Sequence, residues 1–165
     1  MQTAAVQKPD VNGSNQYYPT SRPPLVPSPF AKLPLGSIRP RGWLRHQLDL
    51  MTDGMVGRID EVSEYIQEDS SWLTPESDKG TEQVPYWLRG FYPLAVLTHN
   101  ERLQEESHKW IDAAFASQQQ SGYFGPAKFT SALRDGFGSS LTIQALMMDS
   151  VTQHYEYTRD DRVIP

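Results

Sequence analysis

The segment 82–98, Glu-Gln-Val-Pro-Tyr-Trp-Leu-Arg-Gly-Phe-Tyr-Pro-Leu-Ala-Val-Leu-Thr, sets aromatic and aliphatic side chains around Pro85 and Pro93 beside a single carboxylate, Glu82. These residue types suit a sugar ligand. Aromatic faces stack on the C–H surface of a sugar ring while a carboxylate binds its hydroxyls, giving a mostly apolar site with few placed polar groups. Glu82, Tyr86 and Trp87 are the candidates in this segment. Tyr123 and Phe124, in the glycine-bounded turn Gln120-Ser121-Gly122-Tyr123-Phe124-Gly125-Pro126, are the others. Each has a plainer reading as well. An aromatic stripe at helical spacing is usually core, and Glu82 stands just before a helix, where the positive end of the helix dipole favours a carboxylate without any ligand. Tyr123 and Phe124 follow Gly122 in a turn, where exposed aromatics are harder to explain by packing alone.

The remaining chemistry-bearing side chains are less informative. His46, His99, His108 and His154 show no i, i+4 pair and no carboxylate at a metal-ligand spacing, so they read as structural or exposed and no metal is expected. Glu61 and Glu64 lie one turn apart, as an acid and base pair would, but the charges around them are those of a solvated helix face. With no cysteine, the chain can form neither a disulfide nor a thiolate metal site of its own. A net charge of −5, with 15 basic residues spread along the chain, offers no field for a phosphate backbone, which argues against a nucleic-acid partner. No basic segment leads into a short apolar run, and no stretch approaches the roughly 20 apolar residues of a membrane span. Neither a signal peptide nor a transmembrane segment is visible, no membrane partner is expected, and no compartment is assigned.

The elements that must position these residues are helical. Residues 1–29 are rich in Gln, Asn, Ser and Pro and read as a disordered or extended leader, with Pro19, Pro23, Pro24, Pro27 and Pro29 opposing regular structure. Residues 30–165 form the folded part. Trp43, Leu44, Leu48, Met51, Met55, Ile59, Val62 and Ile66 recur every three or four positions, which predicts one or two amphipathic helices over 41–67, broken at Gly54 or Gly57, with that face buried. The stretch 68–81 is polar, with Trp72 packed down over the domain. Pro85 starts a second helix, over 85–98, which Pro93 kinks or shortens. Asn100 caps a third over 100–118, on which Glu105 stands four residues before Lys109. A fourth covers 139–157, capped by Ser139 or Ser140. No stretch alternates as a strand would, so the expected class is all-α. Trp43-Leu44-Arg45 and Trp87-Leu88-Arg89 form a faint internal echo, as stacked helical hairpins would.

Three ordered segments carry a resemblance. Pro34-Leu35-Gly36-Ser37-Ile38-Arg39-Pro40-Arg41-Gly42-Trp43-Leu44, Tyr86-Trp87-Leu88-Arg89-Gly90 and Gly122-Tyr123-Phe124-Gly125-Pro126 are similar to the "PLGSIxPxGWL", "xYWLxGxxPLA" and "GYxGP" segments of family 127 glycoside hydrolases, the β-L-arabinofuranosidase-like group. The likeness runs from about Leu33 to Pro165. It implies a partial (α/α)6 toroid of stacked helical hairpins, truncated at its C-terminal side, and a carbohydrate partner. In that family hydrolysis is attributed to a zinc-bound cysteine nucleophile and a separate glutamate acid/base, so zinc belongs to a full-length protein, while this chain supplies substrate-side surface, with no cofactor and no catalytic residue of its own. Gly136-Phe137-Gly138-Ser139-Ser140 departs from the pattern, standing where relatives carry an aromatic-proline or histidine-containing motif. The alternative is a non-catalytic helical module that binds carbohydrate or protein. With the hairpin that would cover it missing, the last helix is expected to expose Leu141, Leu146, Met147 and Val151.

Overall fold

The structure, a computed structural model, describes residue 7 and residues 23–26, 32–127 and 139–164. The leader expected over 1–29 and the departure at 136–138 thus lie almost wholly outside the described residues. In chain order come α1 (Gly42–Asp53), a 3-10 turn (Val56–Arg58), the single-turn α2 (Ile59–Val62), α3 (Gln83–Thr98), α4 (Glu101–Ala116) and α5 (Ser139–Thr158). Among the described residues there is no strand, and the class is all-α. No helix among them is long and apolar enough to cross a membrane.

α3 is the central element. Val84, Leu88, Tyr92 and Val96, one turn apart in succession, face Trp110, Ile111 and Ala114 of α4 and Ile143, Met147 and Val151 of α5. A second cluster on another side of α3, Phe91, Leu94 and Ala95 with Leu103, takes the edge of α1 through Leu48. Because neighbours cover it on more than one side, α3 is apolar nearly all round. Pro85 sits in its first turn, where a missing N–H leaves no bond unmade. Pro93 does not shorten the helix, which continues to Thr98. Packing against both neighbours outweighs a local cost of about 3 kcal/mol. The helix ends at His99, whose φ of 56° reverses the chain. Asn100 then starts α4, its side-chain oxygen accepting from the Leu103 N–H at 3.0 Å, as the sequence predicts. Lys109 pairs with Glu106 at 2.8 Å and Glu68 at 2.9 Å rather than with Glu105, which the fold of the 63–81 loop against α4 explains.

Two expectations about apolar faces are corrected. The break at Gly54 is present, the Gly54 N–H closing α1 onto the Leu50 carbonyl at 2.9 Å, but beyond it only short turns form and helix does not reach residue 67. The face expected to be buried is largely open: Trp43 is 78% exposed, Met55 71% and Val62 70%. α1 meets α3 along the edge of Leu48 and the buried Thr52, and the large apolar residues stand away from it. On α5, Met147 and Val151 are buried, Leu146 is half-buried and only Leu141 is well exposed. The stripe that α5 turns to α3 is Ile143, Met147, Val151 and His154, a spacing of four or less that takes in two of the residues expected to be bare. The echoed tripeptides are also used differently, since Leu44 is exposed where Leu88 is fully buried.

The Pro34-Leu35-Gly36-Ser37 turn, closed by a bond from the Ser37 N–H to the Pro34 carbonyl, docks on α5. Its anchor is the buried Glu156, which accepts from the Leu35 N–H at 2.9 Å and from Lys32 Nζ at 2.8 Å. Burial raises the Glu156 carboxyl above its ordinary value, against the Leu35 N–H and the charge of Arg159.

Candidate functional site

The first turn of α3 places two candidates side by side. Glu82 precedes the helix with helical backbone angles, its side chain makes no capping bond, and its carbonyl accepts from the Tyr86 N–H at 3.2 Å. Both side chains lie on the same side of the turn, and both are exposed, Tyr86 by 55%. Trp87, one residue on, is rotated inward. Its ring lies 4.4 Å from Phe91 and 5.7 Å, edge-on, from Trp110, and its buried Nε1–H finds no acceptor among the described residues.

The 121–126 turn is built by backbone bonds: Gln119 N–H to the Tyr123 carbonyl at 2.7 Å and Gly122 N–H to the Gln119 carbonyl at 2.8 Å. Tyr123 points into the protein, donating its phenol to the Pro126 carbonyl at 3.0 Å, and burial pushes that phenol's pKa up. Gly125 has φ of +122°, a backbone conformation that L side chains rarely adopt, and it lies against the Trp72 ring, so glycine is favoured there by conformation. Trp72 is buried, as the sequence suggests, and its Nε1–H donates to the Thr81 carbonyl at 3.0 Å. One indole thus links the glycine turn to the residue before Glu82. Phe124, half-buried, lines a shallow apolar hollow with Phe115, Met148, Val151 and Arg162. The five candidates therefore do not converge. Glu82 and Tyr86 share one exposed surface, Trp87 is half-buried against Phe91 and Trp110, Tyr123 is buried, and Phe124 faces the hollow.

A polar line that sequence reasoning does not find runs through the core. Tyr92 Oη lies 2.9 Å from His154 Nδ1, His154 Nε2 lies 3.0 Å from Asp160 Oδ2, and Arg162 pairs with Asp160 at 2.6 Å while its guanidinium covers the Phe115 ring at 4.4 Å. The Arg162 guanidinium and His154 hold Asp160 well below the usual carboxylate range. Asp160 thus accepts from Nε2–H, leaving Nδ1 bare to accept from the Tyr92 phenol. Burial raises the phenol further above its ordinary value and lowers His154, outweighing the opposite pull of Asp160. A line of this kind can hand on a proton, but Tyr92 is 1% exposed and His154 4%, so no substrate reaches it. Its work is to lock the end of α5 against α3. The signal available in the sequence was a histidine on the apolar stripe of α5, followed within a few residues by Asp160 and Arg162. No group of three or more His, Cys, Asp or Glu side chains placed to hold a metal occurs among the described residues.

Compared with known proteins, the chain matches no family model, no curated protein and no solved structure.

Proposed function

We propose that the chain is the sugar-binding, non-hydrolytic part of a family 127-like glycoside hydrolase, β-L-arabinofuranosidase-like, which acts on arabinose-containing or related glycans when joined to the segment that carries the family's zinc–thiolate group. The observation that carries the reading is the exposed pair at the start of α3, a Glu82 carboxylate beside the open face of Tyr86. A carboxylate that caps nothing and an aromatic side chain more open than covered are what a sugar hydroxyl and a sugar C–H face require. The α3–α4 hairpin, linked by His99 and Asn100 alone, is the kind of unit that a partial (α/α)6 toroid stacks, and it supports that finer architecture. Without a cysteine the chain has no thiolate nucleophile of the family's kind, and on this reading it hydrolyses no arabinofuranoside by itself.

The test is calorimetric titration of the chain with an arabinan-derived oligosaccharide, beside incubation with an aryl arabinofuranoside. Weak binding without hydrolysis is expected, with Tyr86→Ala lowering affinity about tenfold, or ~1.4 kcal/mol. Absence of binding at millimolar sugar, or equal binding by Tyr86→Ala, would overturn the reading. A second reading, a helical module that binds protein, is favoured by the open face of α1.

A further inference from the structure

α1 carries two features that its place in the fold does not explain. Trp43, Gln47, Leu50 and Met51, at i, i+4, i+7 and i+8, share one side of the helix, the side away from Leu48 and Thr52. Trp43 is 78% exposed, Leu50 53% and Met51 42%, and Met55, just past the helix, is 71% exposed. This is the stripe one helix shows another. The charges, moreover, run against the helix dipole. Arg39, Arg41 and Arg45 gather at the N-terminal end, Asp49 and Asp53 at the C-terminal end; there is no acid in the first turn and no base in the last. Arg45 is held by Asp49 at 2.7 Å, whereas Arg39, Arg41 and Asp53 make no ion pair among the described residues.

We propose that this face binds the same face of a second copy of the chain, the two α1 helices lying antiparallel about a two-fold axis at Gln47. A two-fold contact is self-complementary, each residue meeting its counterpart's partner twice. With the axis at Gln47, Trp43 of one copy lies over Met51 of the other, and the N-terminal end that carries Arg41 comes level with the C-terminal end that carries Asp53. Each misplaced charge then sits beside the opposite end of the other helix: Arg41 against a last turn of carbonyls and acid, Asp53 against a first turn of N–H groups and base. What opposes the dipole within one chain favours it across two, and this complementarity selects a second copy over an uncharged apolar occupant. The contact stands independently of the sugar-binding reading. One helix about 18 Å long buries less than a standard interface of ~1,600 Å², so the dimer is weak, with a Kd on the order of 10 μM.

Sedimentation equilibrium of the whole chain, from about 1 μM to 1 mM, tests it. A monomer–dimer equilibrium is expected. Arg41→Asp, which sets acid against acid twice per dimer, and Trp43→Ala should each weaken it at least about tenfold, and Arg41→Asp with Asp53→Arg should restore it. Asp at an N-cap and Arg in a last turn both suit a helix, so lost association cannot be lost folding; unchanged far-UV circular dichroism checks this. A monomer throughout the range, a dimer indifferent to Trp43→Ala, or a double variant that stays monomeric would each overturn the proposal. A monomer whose emission exceeds that of Trp43→Ala by the spectrum of a buried indole would do so by showing that another segment of the same chain covers the face.

Discussion

His154 is held between a phenol and a carboxylate, and its response to acid follows from the balance of burial against that pairing. Burial wins, so the folded protein resists protonating the ring that the unfolded chain protonates at its ordinary pKa of 6.5. The stability owed to neutral His154 is therefore complete above that value and is lost as pH falls through the folded-state pKa. Glu156 works in the opposite sense: its raised carboxyl favours folding when protonated, and that contribution is lost as pH rises through its folded-state pKa. The two overlap in mild acid, so the prediction concerns a difference. The gap in unfolding free energy between the native chain and His154→Gln, by urea denaturation, should narrow on going from pH 8 to pH 5; a constant gap would sink the assignment. Tyr92→Phe, which strands Nδ1 in the core, should cost about 1–3 kcal/mol at neutral pH. Little of this was legible in the sequence, because Tyr92 and His154 are 62 positions apart and only packing of α3 on α5 brings them together.

The helices show where local sequence rules suffice and where they stop. Pro85 and Asn100 mark the starts of α3 and α4 within two residues, since a missing N–H and a capping oxygen act through immediate neighbours. Asn100→Ala should lower stability by about 1 kcal/mol without altering the fold, read from the denaturation midpoint. Gly125→Ala should cost about 1–3 kcal/mol, because alanine must adopt a backbone conformation few residues tolerate. Thr81→Ala keeps the carbonyl to which the Trp72 indole donates, but it removes a buried hydroxyl that bonds Ser71 Oγ and the Asp78 carbonyl, each at 3.1 Å, and should also cost about 1–3 kcal/mol. Periodicity also identified an apolar face on α1, but a repeat of three and four says only that a face exists. What covers it depends on which neighbours arrive, and α3 reaches α1 along the Leu48–Thr52 edge alone. The candidate sugar residues divide for the same reason: adjacent positions on a helix turn by about 100°, so Tyr86 in solvent requires Trp87 to swing toward Phe91 and Trp110.

For the molecule as a whole, the tryptophans separate what holds the fold from what its surface offers. Trp110 is wholly buried in the cluster shared by α3, α4 and α5, its Nε1–H bonded to Glu106 at 2.8 Å, and Trp87 packs edge-on against it while also touching the second cluster beside α1. Removing the Trp110 ring therefore leaves a cavity where three helices meet. Trp110→Ala should cost about 3–5 kcal/mol, a large part of the ~5–15 kcal/mol that keeps a domain folded. Trp43 lies at the other extreme, and Trp43→Ala at concentrations where the chain is monomeric should change stability by no more than about 0.5 kcal/mol. The pair is informative because both are tryptophans on helices with apolar periodicity, which sequence alone treats alike. Urea denaturation followed by far-UV circular dichroism and by fluorescence should show coincident transitions for the native chain and Trp43→Ala, with Trp110→Ala shifted to much lower urea or unfolded in buffer. Equal midpoints for the two variants would mean that α3, α4 and α5 do not share one core, and the central role of α3 would fall with it.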